Sequence, residues 1–351
     1  MNCGYPSVPH ESLMLRIVAP RWGSSLERQI RTFGPGGILL AGPLPASPEG
    51  VHDLLRDISS ILPATPILAV EAEGGAGPLS ALLPPLPSPR ALALKGARFA
   101  RQAGELSGEA LNLLGFHAHF ALTLDLASEF AEESLGASTF GADPRVVAEC
   151  AASFVEGLSR HKILACAGHF PGLASVPPAA SSELPASGRS MAELWRADLV
   201  PYRTLLPRLP LILMSTAAYK AYDFDSPRSA VLSQVVVGGL LRGKLGYRGV
   251  VLAPQLESQS VRGVLDLGRS AVQSLSAGCD MLLVEKDESW QSMRRGIEEA
   301  LASGAIRQMR LEQTFTRIHA AKKGLAPPKG PFSKKAWERL TRRFEEFNSA
   351  V

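Results

Sequence analysis

Long apolar runs are missing. Nowhere do about 18 uninterrupted apolar residues occur, which removes a membrane-spanning helix from consideration. The opening stretch, MNCGYPSVPHESLMLRIV, has no basic leader region, and Arg16 and Pro20 break its apolar segment, so it reads as neither signal peptide nor anchor. Cysteine is scarce too. Cys3, Cys150, Cys166 and Cys279 lie far apart, with no C-x-x-C pair and no Cys/His spacing of a zinc site. They read as reduced, mostly buried thiols, which fits the cytoplasm, and the pattern calls for no metal and no cofactor. Charge is thin: 20% of residues are Asp, Glu, Lys or Arg, and the formal net charge is +4. Before the tail no Lys/Arg block with interleaved aromatics appears, which argues against a nucleic-acid partner. What remains is a chain of 351 residues at 46% hydrophobic, enough to bury about three quarters of its unfolded surface as one large domain.

Short apolar runs recur along it, each followed by a loop and a helical pattern. Eight read as strands: Leu13–Val18, Gly37–Ala41, Ile67–Val70, Phe116–Leu126, Ile163–Cys166, Leu211–Met214, Gly249–Ala253 and Met281–Val284. Helical periodicity covers Ser25–Phe33, Gly50–Leu62, Ala91–Leu114, Pro144–Arg160, Met191–Leu206, Ser226–Leu245, Leu265–Ala277 and Gln291–Ser303. Strands apolar on both faces, alternating with helices, predict an α/β fold: a TIM-type (β/α)8 barrel, its regularity left open, plus a C-terminal helix.

In such a barrel the loops at the carboxyl ends of the strands carry the chemistry. After the third strand comes Glu71-Ala72-Glu73-Gly74-Gly75, and after the fourth Asp125 and a loop closed by Asp143-Pro144 at a helix start. The fifth strand feeds a loop that Gly168, Pro171 and Gly172 make irregular, with His169 its one strongly functional side chain. Ser215 and Tyr219 follow the sixth strand without an obvious base, Pro254 to Glu257 the seventh, and Glu285 the eighth. His117 and His119, with no carboxylate or cysteine at metal spacing, read as satisfied core histidines. From Leu325 the composition changes, so residues 1–325 are assigned to the barrel and 326–351 to a helical extension packed on it. There Ser333 can cap a helix whose Trp337, Leu340, Phe344 and Phe347 form an apolar stripe, which either docks on the barrel or offers a protein partner a surface.

Several loops carry recognisable letters in order: Glu73-Gly74-Gly75, Phe140-Gly141-x-Asp143-Pro144, His169-Phe170-Pro171-Gly172 and Gly246-Tyr247-x-Gly249-Val250-Val251. On these the chain resembles glycoside hydrolase family 3, in particular its single-barrel β-N-acetylhexosaminidases, over roughly Leu13 to Lys323. The family's motifs there are D-x-E-G-G, G-D-R-S-F-G-x-D-P, K-H-F-P-G-H-G and G-F-x-G-V-V before S-D-D-L. The resemblance implies an O-glycosyl hydrolase barrel with a carbohydrate ligand.

The reactive letters differ. A retaining glycosidase needs a carboxylate nucleophile and a second proton-transfer group across the glycosidic bond. Where the resemblance puts the nucleophile, the first Asp of S-D-D-L, this chain has Pro254; the Asp and His of the family's D-S-H dyad fall on Ala179 and Ser181. The sugar-holding Lys becomes Gly168, and two arginines become Ser138 and Leu79. Glu71 keeps a carboxylate with one more methylene, and His169 matches outright. The expectation is therefore a pseudoenzyme: a non-hydrolytic barrel that binds a carbohydrate or a partner. The alternative is an active hydrolase with relocated carboxylates, Glu257 and Glu183 being the substitutes. His169 and Glu71 either contact a ligand or serve the structure; Asp125 either binds ligand or bonds nearby backbone amides; Glu73 is assigned to the Gly74-Gly75 turn.

Overall fold

The computed structural model of the chain describes residues 10–18, 23–71, 77–180 and 182–351. Each of the eight apolar runs contains a strand: β1 (Leu13–Ile17), β2 (Gly37–Leu40), β3 (Ile67–Glu71), β4 (Ala118–Thr123), β5 (Leu164–Phe170), β6 (Leu211–Met214), β7 (Val250–Ala253) and β8 (Met281–Val284). Neighbours are parallel, their order round the ring follows the chain, and β1 pairs with β8 through Leu13 with Leu282 and Leu15 with Val284. The closed ring with its outer helices is the TIM-type (β/α)8 barrel that the repeats predict.

Strand residues alternate between two environments. One apolar cluster draws on every strand, through Met14, Leu39, Ala69, Phe120, Cys166, Leu213, Leu252 and Leu283, and is the barrel interior. Their neighbours Leu13, Leu15, Ile38, Leu68, Ile212, Val251 and Leu282 pack outward with the helices. The register slips twice, between Phe120 and Leu122 of β4 and between Ala167 and Phe170 of β5. Both slips lie toward the carboxyl ends, where an irregularity re-aims the side chains that follow.

Several elements differ from the sequence reading. β5 continues to Phe170, so His169 stands on the strand and the loop begins at Pro171. The predicted helix Ala91–Leu114 is two helices, Pro89–Lys95 and Ala97–Leu114, parted by Gly96 at φ 93°, outside the helical region. Met191–Leu206 divides likewise into Met191–Arg196 and Leu199–Leu205. Pro201 cannot donate to the carbonyl of Ala197, so an unbroken helix would lose that bond. Ser226–Leu245 is not α-helical at all: a 3-10 turn at Ala230–Leu232 precedes a π-helical run, Val235–Lys244. Its three glycines, Gly238, Gly239 and Gly243, weaken any preference for the tighter α-helix.

Two glycines set how the helices Ala97–Leu114 and Pro144–Arg160 cross. A Cβ on Gly104 would lie 2.2 Å from the Phe154 carbonyl oxygen, and one on Gly157 would lie 2.3 Å from that of Arg101. The two backbones therefore touch. At the amino end of the strands, helix Gln308–Lys322 closes the ring and sends Ile318 into the interior cluster. Asp280, fully buried just before β8, accepts from the Val251 amide (3.0 Å), Thr314 Oγ1 (3.2 Å) and Arg317 (3.0 Å), and pairs with Arg242 and Arg310.

Ser333 caps helix Lys334–Ala350, on which Trp337, Leu340, Phe344 and Phe347 are buried. Phe347 meets Phe99 with ring centroids 6.0 Å apart, and Arg343 pairs with Glu109. The chain itself thus covers the stripe nominated for a partner. His117 fastens the connecting segment: its Nε2 donates to the Ala326 carbonyl (2.9 Å), which leaves Nδ1 to accept from the Leu68 amide (3.2 Å). Cys150, Cys166 and Cys279 are free and buried, and Cys3 lies outside the described residues. Among the described residues no helix is long and apolar enough to cross a membrane.

Candidate functional site

Period two along each strand builds the barrel mouth. Two residues beyond the interior positions Met14, Ala69, Leu252 and Leu283 stand Arg16, Glu71, Pro254 and Glu285, the next inward-facing positions toward the carboxyl ends. All four line one cavity of about 690 Å³, together with His169, Gln255, Glu257, Ser258, Lys286 and the exit of β6 at Ser215 and Thr216. Among the described residues the mouth is an open polar cup above an apolar interior, and the described parts of its proline- and alanine-rich loops do not fill it.

Charged pairs organise its floor. Arg16 donates to both oxygens of Glu71, Nε at 3.3 Å and Nη2 at 3.0 Å, and its Nη1 reaches Glu285. One guanidinium from β1 therefore bridges the ends of β3 and β8. Burial works to lower the Arg16 pKa, yet the hydrogen bonds and charges of Glu71 and Glu285 outweigh it and raise it. Glu257 accepts from the amides of Glu285 (3.3 Å) and Lys286 (3.2 Å), tying the β7 exit to the β8 exit.

The wall opposite is set by Asp125, whose side chain is fully buried. Its Oδ2 accepts from the backbone amide of His169 (3.0 Å) and meets His169 Nδ1 (2.9 Å), while Oδ1 accepts from the Leu173 amide (2.6 Å). The imidazole, 17% exposed, is thereby held toward the cup. Tyr219, also buried, donates its hydroxyl to the Gly172 carbonyl (2.5 Å) and props the same loop from behind. Burial pushes its phenol well above the ordinary value, so it stays a neutral donor.

The nominated residues thus separate. His169, Glu71, Pro254 and Glu257 come together in the cup. Asp125 does not line it, because both its oxygens face backbone amides and His169. Ala179 and Glu183 sit on an exposed stretch of the loop after β5 and do not line the cup either. Ser181 and Glu73-Gly74-Gly75 lie outside the described residues. Ser215 is occupied by the Ala217 amide (3.1 Å). His117 is satisfied, but His119 corrects the core-histidine reading: its buried Nδ1 has no hydrogen-bond partner among the described residues. Arg16 and Lys286 were missed. For Arg16 a signal existed, since a single charge in the apolar run Leu13–Val18, in step with Met14, has nowhere to point but the mouth. Among the described residues no cluster of His, Cys, Asp or Glu could hold a metal ion.

Residues 15–321 match the model of the glycosyl hydrolase family 3 N-terminal domain. The chain belongs to that family. It is 34% identical over 258 residues to the β-hexosaminidase of Alkalilimnicola ehrlichii, covering 71% of this chain and 73% of that protein. It is 30% identical over 282 residues to the β-hexosaminidase of Pseudomonas aeruginosa strain PAO1, covering 79% and 83% respectively. In fold, it resembles the family 3 β-N-acetylglucosaminidase of Paenibacillus sp. strain FPU-7, with a TM-score of 0.84 and 24% identity over 96% of this chain and 67% of that one. It also resembles the β-N-acetylhexosaminidase of Beutenbergia cavernae, with a TM-score of 0.79 and 21% identity over 89% and 96%. Within this family-3 barrel the cup occupies the strand ends at which TIM-type barrels carry their sites.

Proposed function

We propose that this family 3 barrel binds a hexosamine-type carbohydrate in its mouth, in the cytoplasm, without cleaving the glycosidic bond. The observation that carries the reading is Pro254: the inward position beyond Leu252, where the resemblance puts the nucleophile, has no group able to attack an anomeric carbon or to stabilise its positive charge. The cup's other carboxylates support it. Glu71 and Glu285 share Arg16, and Glu257 faces two amides, so each is engaged in bracing the cup. Donors and acceptors suited to sugar hydroxyls remain in His169, Gln255, Ser258 and Lys286.

A second reading, hydrolysis by relocated carboxylates, draws on Glu71, Glu257 and Glu285 all lining one cavity. The β-hexosaminidase names of the relatives favour it too. Calorimetric titration with N-acetylglucosamine, run beside hydrolysis of a chromogenic N-acetylglucosaminide, separates the two. Saturable binding with no turnover is the expected result. Turnover lost in Glu257→Gln or Glu71→Gln would replace the first reading by the second.

A further inference from the structure

On the outer side of β4, beside the loops that follow β3 and β4 and separate from the cup, lies a second and smaller cavity of about 80 Å³. Leu83, Phe140, Phe154 and Phe344 supply much of its wall, and no Asp, Glu, Lys or Arg among the described residues lines it. Two polar groups on β4 do: His119, 5% exposed, and Thr123, 3% exposed. Among the described residues neither His119 Nδ1 nor Thr123 Oγ1 has a hydrogen-bond partner. Leaving a buried donor or acceptor unpaired costs free energy, so each invites a partner. Leu79 and Ser138, which stand where the resemblance puts sugar-holding arginines, line this cavity rather than the cup.

The dimensions and chemistry of the space select the occupant. It has roughly half the volume of a cavity that takes a benzene ring, about 150 Å³, which limits a ligand to a few heavy atoms. Two or three waters would fit by volume at about 30 Å³ each, but a water needs two to four polar partners and the walls are mostly leucine, proline and phenylalanine, with Ser80, Ser107 and Ser138 the polar side chains beside His119 and Thr123 among the described residues. A charged ligand would lose its hydration without gaining a counter-ion. Burial pushes the His119 pKa down to about 4, so at neutral pH the imidazole carries no charge.

We propose that this cavity is a binding site for a short, uncharged aliphatic hydroxy compound, its hydroxyl paired with His119 Nδ1 or Thr123 Oγ1 and its chain against the leucine and phenylalanine walls. The two polar atoms belong to residues four apart on β4, on either side of its register slip between Phe120 and Leu122, and the hydroxyl pairs with one of them.

Binding of 2-fluoroethanol to the full chain, followed by fluorine NMR with 1-propanol and 1-butanol as competitors, tests it. Saturation at roughly millimolar probe is expected, the range open to so small a ligand. Competition should fail with phenol and 1-octanol, which are too large, and with butyrate and butylamine, which are charged. Either His119→Leu or Thr123→Val should weaken binding at least tenfold, and Ala110→Leu, which fills the space from helix Ala97–Leu114, should abolish it. If Ala110→Leu does not fold, the size and charge cut-offs on the native chain still decide. Non-saturating shifts with every alcohol, insensitivity to both polar substitutions, or ordered water alone in a propanol-soaked crystal would overturn the assignment.

Discussion

Arg16→Met removes the guanidinium from the cup floor while keeping most of its apolar stem, and so isolates the clamp between β1, β3 and β8. The side chains of Arg16, Glu71 and Glu285 are 26%, 33% and 42% exposed, so solvent screens both pairs in part. An exposed pair contributes about 0.2–1 kcal/mol, and a two-pronged guanidinium–carboxylate contact lies at or above the upper end of that range. Assigning about 1 kcal/mol to the Glu71 arm and about 0.5 to the Glu285 arm gives a loss of about 1–2 kcal/mol, since the two carboxylates are also left facing each other without a cation. Urea denaturation of Arg16→Met, Glu71→Gln and the double variant measures the coupling directly. We expect about 0.5–1.5 kcal/mol of non-additivity at low salt, shrinking in 1 M NaCl, where the Debye length is about 3 Å. Effects that add to within about 0.3 kcal/mol at both salt concentrations would mean that the contact carries no coupling energy, and the cup floor would not be clamped as described.

Three further perturbations follow from the same contacts. His119 titrates near 4 when folded and near 6.5 when unfolded, so the unfolded chain binds more protons between those values and stability falls as pH drops through that window. His119→Leu should remove up to about 3 kcal/mol of that acid sensitivity, measured as urea midpoints from pH 7 to pH 4.5; an unchanged slope would show that the imidazole is not buried neutral. His117, also lowered by burial, accounts for part of the slope that remains. Gly104→Ala and Gly157→Ala each force a methyl group into a facing carbonyl and should cost about 1–3 kcal/mol, and neutrality in both would refute the backbone contact between those helices. Asp280→Asn takes the one carboxylate from among Arg242, Arg310 and Arg317 and should cost about 3–5 kcal/mol in thermal or urea unfolding, whereas a loss under 1 kcal/mol would mean solvent reaches those guanidinium groups.

The ring of strands was legible because burial on both faces leaves eight short, mainly apolar runs, and a helical segment between each pair admits few other topologies. Where helix boundaries misled, a backbone effect outran side-chain periodicity: Gly96 at positive φ, the missing amide of Pro201, the glycines of the π-helical run. His169 and Glu71 were legible as strand-exit residues. Asp125 was legible as a residue but not as a role, because its three contacts come from His169 at the end of β5 and Leu173 in the loop after it, 44 to 48 positions away in sequence. Glu257 looked like a spare acid and turns out to brace two amides from the next strand's exit. Sequence separation of 269 residues hides the partnership of Arg16 with Glu285 in the same way. Only closure of the ring brings β1 beside β8.

Fold and chemistry occupy different heights of the same inward-facing rows. Met14, Ala69, Leu252 and Leu283 pack the interior whatever stands two residues later, so the upper row can carry Pro254 or Arg16 without disturbing the packing beneath it. Family membership, shown by a match over residues 15–321 as a whole, speaks for the barrel, whereas turnover depends on the particular side chains of the upper row. Placing an acid at position 254 alone, as Pro254→Asp, should accordingly leave the chain folded yet, on the proposed non-hydrolytic reading, inactive toward a chromogenic N-acetylglucosaminide. The substitution supplies one carboxylate, while Glu71 and Glu285 remain bound to Arg16 and Ala179 offers no proton. Measurable turnover in that single variant would mean that a proton donor is already in place in the cup, and the non-hydrolytic reading would then rest on one residue rather than on a whole rebuilt row.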